Sequence, residues 1–168
     1  MMISSGIARV GGILMLGVFA VNVYLGIYDT NLSQVPLHWD LNWVIAAVTL
    51  IAAILLLAKP LNAPLVTLAG IVWPIVYVAS LAVDVYTKMC LGASYCWPSR
   101  TAAFQYLILN NPNAEGGGWK LFPYTIPIAL GLLFVTFVLS IIVVASIYRS
   151  RAVTTTTRMQ QTSAAKPP

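Results

Sequence analysis

The apolar positions of this chain fall into four long runs, about Val10 to Ile27, Leu41 to Ala58, Leu65 to Val85 and Ile126 to Tyr148, separated by polar, charged or proline-rich segments. A bilayer core of about 30 Å requires roughly 20 apolar residues as helix, because lipid offers backbone N–H and C=O groups no partner and a helix satisfies its own. None of the runs carries a charge near its middle. The pattern predicts an all-α membrane protein, a multi-pass four-transmembrane-helix bundle occupying residues 1–151. The first run begins close to Met1, behind Arg9, as a secretory signal would. It is longer than a signal core of roughly 7–15 residues, and no small-x-small pattern closes it before Tyr28 and Asp29, so it is expected to remain as a span. An even number of spans puts both termini on one side.

The breaks carry their own signals. Lys59-Pro60-Leu61-Asn62-Ala63-Pro64 predicts a tight turn in which one proline stops a helix and the next starts another, making spans two and three an antiparallel hairpin. Residues 29–40 form a short loop, whereas the outer segment 86–124 is too long for a passive connector. Within it Ser99 caps a predicted short helix, Thr101 to Leu109, whose Ala103, Phe104, Leu107 and Ile108 share one face and place it on the membrane surface as an interfacial helix. Gly116-Gly117-Gly118 then predicts a turn before an aromatic belt of Trp119, Phe122 and Tyr124. The tail 152–168, with Thr154 to Thr157, is polar, lacks apolar periodicity and is expected to be disordered.

Composition sharpens the class. Of the 168 residues 60% are hydrophobic and 8% charged, and the mean hydropathy is +0.87. Ordinary soluble domains are about 25% charged, so a soluble, disordered or nucleic-acid-binding chain is excluded. The net charge of +5 becomes a topology signal instead. Arg9, Lys59, Arg149, Arg151, Arg158 and Lys166 fall on one side with no acid; Lys88, Arg100 and Lys120 fall on the other with Asp29, Asp40, Asp84 and Glu115. Short loops rich in Lys and Arg stay cytoplasmic, which predicts cytoplasmic termini in a cell membrane, anchored by Arg9, Lys59, Arg149 and Arg151.

Candidate chemistry is sparse. Cys90 and Cys96 share the outer segment, where a disulfide is expected, since their spacing is not that of a Cys-x-x-Cys redox pair. Asn31-Leu32-Ser33 matches the glycosylation sequon and makes Asn31 a candidate acceptor. Asp84 lies about 28 Å along its helix from Leu65, at the outer edge of the span, with Lys88 one turn on as an ion-pair partner. Trp73, Tyr77, Ser80, Asp84 and Lys88 recur along one face of the third helix. That face serves either as a hydrogen-bonded seam, in which Tyr77 and Ser80 meet Asn22, or as a narrow polar path. The seam is preferred, because no second acid, histidine or broken half-helix pair accompanies it. Pro74 predicts a kink, and Gly11, Gly12 and Gly17 with Ala46, Ala47, Ala52 and Ala53 predict close packing of spans one and two.

His38 is the single histidine, which excludes bis-His haem; a copper site of His38 with Cys90 and Cys96 competes with the disulfide. No Gly-x-Ser-x-Gly elbow or intramembrane carboxylate pair is present. No catalytic, cofactor-binding or metal site is therefore expected, and the chain is not expected to be an enzyme by itself. These features imply a non-catalytic small subunit or scaffold of a larger membrane assembly, partnered by the lipid bilayer and other integral-membrane subunits and by no nucleic acid. The alternative is a homo-oligomeric channel or small-solute transporter using the polar face of the third helix.

Overall fold

The computed structural model describes residues 2–28, 36–87, 90–91, 95–96 and 125–164. The architecture is helical: α1 (Met2–Tyr28), α2 (Pro36–Ala58), a third span built from α3 (Ala63–Thr67), a π-helical turn (Leu68–Val72) and α4 (Trp73–Thr87), and α5 (Thr125–Ala164). Two short strands, β1 (Cys90–Leu91) and β2 (Tyr95–Cys96), pair antiparallel with Cys90 opposite Cys96. Four helical stretches are long and apolar enough to cross a membrane: Ile3–Ile27, Asp40–Ala58, Ala63–Ala82 and Ile126–Ala152.

The turn between spans two and three closes for local reasons. The Lys59 N–H still reaches the Leu55 carbonyl at 2.9 Å, and the Asn62 N–H donates to the Lys59 carbonyl at 3.1 Å. The Asn62 side chain then accepts from the Leu65 N–H at 3.3 Å, and Pro64 sits in the first turn of the new helix, where its missing N–H costs nothing.

Helix α1 occupies the centre, packed along both α2 and α5. Met15 and Val18 of α1, Leu56 of α2, Val66 of α3 and Leu133 and Val143 of α5 are fully buried between them. Apolar burial gives no net drive against lipid, so close contact through small residues holds such helices together. At Gly12 the approach is especially tight: an added Cβ would lie 2.7 Å from Leu57 Cγ and 3.1 Å from the Ala53 carbonyl.

Several elements depart from expectation. Helix α1 starts at Met2 and not near Val10, so Arg9 lies inside the helix and not ahead of it. The added turns are held by Ser4, whose hydroxyl lies 2.6 Å from that of Ser146 on α5. Helix α5 does not end near Tyr148 either; the tail expected to be disordered continues it through Ala164. No Gly or Pro interrupts residues 149–164, and a helix already nucleated in the span adds residues at little cost even through threonines. The kink expected at Pro74 takes the form of the wide turn just before it, in which the Trp73 N–H reaches back to the Leu68 carbonyl. Proline has no N–H and its ring crowds the carbonyl four residues earlier, so a locally wider turn relieves the clash. The predicted surface helix at Thr101–Leu109 with Ser99, the Gly116–Gly118 turn, the aromatic belt and the Asn31 sequon lie outside the described residues.

Candidate functional site

The polar residues of the first three spans converge on one place. Asn22, two turns from the end of α1, is buried, as is Tyr77 of α4. The Tyr77 hydroxyl donates to Asn22 Oδ1 at 3.1 Å, and Asn22 Nδ2 donates to the Val18 carbonyl of its own helix at 2.9 Å. Asn42 of α2 completes the junction, its Nδ2 donating to the Asn22 carbonyl at 2.9 Å. One turn below Tyr77, Trp73 Nε1 donates to Thr49 Oγ1 of α2 at 3.1 Å, while that hydroxyl donates to the Ile45 carbonyl at 2.7 Å. The Trp73 and Tyr77 rings meet edge to face, with centroids 6.4 Å apart and planes at 85°. Ring spacing and angle suit the aromatic quadrupoles, which adds to the hydrogen bonds in setting both side chains.

Of the polar face predicted on the third helix, the structure joins Tyr77 to Asn22 and turns Trp73 toward Thr49. Ser80 does not reach Asn22; its hydroxyl donates to the Tyr77 carbonyl of its own helix at 2.7 Å. A serine one turn further along has a backbone acceptor at hand, and the nearer partner wins. Asp84 belongs to α4, its side chain outside the described set, as is that of His38 in α2; Lys88 lies outside the described residues. Asn42 and Thr49 are not among the predicted seam residues, and their signal in the sequence is only that each is polar within an otherwise apolar run.

A second polar seam joins α1 to α5. Besides the Ser4 and Ser146 hydroxyls, Thr136 Oγ1 donates to the Leu132 carbonyl at 2.8 Å and lies 3.4 Å from the Gly11 carbonyl. Between the seams the third span is clamped at its wide turn. Gly70 faces Ser140 so closely that an added Cβ would come within 2.6 Å of the serine Cβ.

These groups tie the helices to one another. Their donors engage helix carbonyls or one another, inside a bundle where an unsatisfied polar group would be costly. On its outward side the third span instead borders an apolar groove of about 390 Å³ between α4 and α5, lined by Pro74, Ile75, Val78, Leu130, Phe134 and neighbours. None of the seam's polar side chains lines it. Among the described residues no three His, Cys, Asp or Glu side chains converge as metal ligands would.

Four helices long and apolar enough to cross a membrane, joined by buried polar seams, are the architecture of a polytopic α-helical membrane protein. No protein-family model, curated protein or solved structure matches it.

Proposed function

We propose that this protein is a non-catalytic small integral-membrane subunit or scaffold of a larger membrane assembly, working in a cell membrane with both termini cytoplasmic. The observation that supports this reading is the division of the bundle: the seam's polar groups bind one another, while apolar side chains such as Phe134, 67% exposed, and Ile75, 55% exposed, face outward around a groove. Such faces are covered by lipid or by a neighbouring subunit's helix. The exposed Arg9, Lys59, Arg149 and Arg151 share one end of the bundle, which supports the orientation. Extraction in mild detergent from the native source, then a native gel and mass spectrometry, tests the assignment. Co-migration with larger subunits at fixed stoichiometry is the expected result. A homo-oligomer free of other proteins would overturn it and bring forward the channel alternative, whose flux in proteoliposomes would then fall on Asp84→Asn or Tyr77→Phe.

The outer segment is proposed to carry a Cys90–Cys96 disulfide. Directly opposed residues of an antiparallel pair have Cα atoms about 4.5–5.5 Å apart, inside the roughly 4.4–6.8 Å that a disulfide spans. The β1–β2 register, with Cys90 opposite Cys96, supports the bond. Iodoacetamide is expected to add no mass to the unfolded, unreduced chain and two adducts after reduction; two adducts without reductant would dismiss the disulfide.

A further inference from the structure

Arg9 lies within α1 and is exposed. Helices α1 and α2 run antiparallel in a register that sets Gly26 beside Trp43 and Gly12 beside Leu57. The same register brings Arg9 level with Lys59, and both are exposed. Among the described side chains the acid nearest in sequence to this pair is Asp40, which stands at the opposite end of α2, about 28 Å from Lys59 along the axis. Nineteen residues likewise separate Arg9 from Tyr28, again about 28 Å, close to the thickness of a hydrocarbon core. The two cations therefore stand level with each other at the same end of α1 and α2, beside the turn that closes the second span.

Arg149 and Arg151 are not part of this pair. The α1–α5 register, with Ser4 beside Ser146 and the Gly11 carbonyl beside Thr136, puts Arg9 level with the α5 turn between those residues. Arg149 lies roughly two to three helical turns further along α5. From Arg9 an exposed apolar face continues into the membrane: Ile13, 60% exposed, and Leu16, 36% exposed, follow at helical spacing on the same side of α1.

We propose that Arg9 and Lys59 bind the phosphate of an anionic phospholipid, one of whose acyl chains lies along Ile13 and Leu16. Guanidinium offers a fork of N–H donors matched to phosphate oxygens, and the lysine adds a compact charge from the other helix. Opposite charge at phosphate depth, continuous with an apolar track, selects a lipid over an acidic protein segment. The site stands independently of the assembly reading above.

The test uses the full chain, purified in detergent and exposed to equal amounts of phosphatidylglycerol and phosphatidylcholine, with bound lipid counted by native mass spectrometry. The expected result is retained phosphatidylglycerol in about tenfold preference, lost in the Arg9→Gln/Lys59→Gln variant and kept in Arg149→Gln/Arg151→Gln. Inorganic phosphate at millimolar concentration should not displace it, which separates a lipid headgroup from a free-phosphate site. Equal retention by the Arg9/Lys59 variant, equal loss in the Arg149/Arg151 variant, displacement by phosphate, or an acidic peptide bound in place of lipid would each overturn the proposal. Should the double variant fail to fold, the melting temperature of the unaltered protein decides: it should rise with phosphatidylglycerol and not with phosphatidylcholine, and equal response to both overturns the site.

Discussion

Gly70→Ala is expected to lower the stability of this protein by about 1–3 kcal/mol, the usual cost of forcing an added carbon into a packed interior. The position leaves no slack. Gly70 sits in the π-helical turn of the third span, buried, with the Ser140 side chain of α5 against it and Leu56 Cδ2 of α2 3.5 Å from an added Cβ. Ser140 is itself buried within α5, and its Cβ is fixed to that helix's backbone, so it cannot move without moving α5. The same substitution at Gly6 or Gly131, where an added Cβ meets nothing within 4 Å, should be neutral or slightly stabilising, since alanine favours helix over glycine. Thermal unfolding of the detergent-solubilised protein reads the difference. Ser140→Gly should restore part of the stability lost in Gly70→Ala. If Gly70→Ala melts with Gly6→Ala, the turn is not clamped against α5.

Asn22→Leu should be the next most damaging change, at about 1–3 kcal/mol, because it strands a buried hydroxyl and not merely because it deletes a bond. Tyr77 is 4% exposed, and its hydroxyl finds its acceptor on α1 only at Asn22 Oδ1. The Asn42 bond to the Asn22 backbone carbonyl does not depend on the Asn22 side chain and should persist. A double-mutant cycle isolates the contact: Tyr77→Phe should cost roughly 0.6–1.7 kcal/mol in the natural background and close to nothing beside Asn22→Leu, in line with measured interhelical hydrogen bonds in membranes. Strictly additive costs would mean that the two side chains do not support each other. Because this bond and the Trp73 to Thr49 bond tie α4 to α1 and α2, its loss should also free the outer half of the third span to move more than the turn below it.

Both predictions turn on features of unequal visibility in the chain. The second span is expected at Leu41 to Ala58, and its helix runs Pro36–Ala58, ending as expected where Lys59-Pro60 closes the apolar run. Asn22 and Tyr77 stand out as polar groups in apolar stretches, and Tyr77 with Trp73 shares a helical face, so their pairing could be anticipated from the chain alone. Thr49 and Asn42 could be noticed but not matched, since their spacing on α2 says nothing about which face of α1 or α4 will lie opposite. Pro74 foretells a disturbed helix but not a π-helical turn at Leu68–Val72, nor that Gly70 within it would lie against Ser140 of α5.

What the sequence by itself determined is the number of spans, the turn between the second and third, and the class of protein. These follow from hydrophobic length and from prolines, and both act locally: lipid cannot satisfy a backbone, so any apolar run of sufficient length becomes a helix whatever its neighbours. Tertiary structure decided the rest. Helix α1 reaches back to Met2 with Ser4 docked on Ser146, Arg9 comes level with Lys59, and Gly70 meets Ser140 because of the register between helices. Register is fixed by small residues and hydrogen bonds across helices that lie far apart in the chain, and no periodicity within one helix encodes its partner's position.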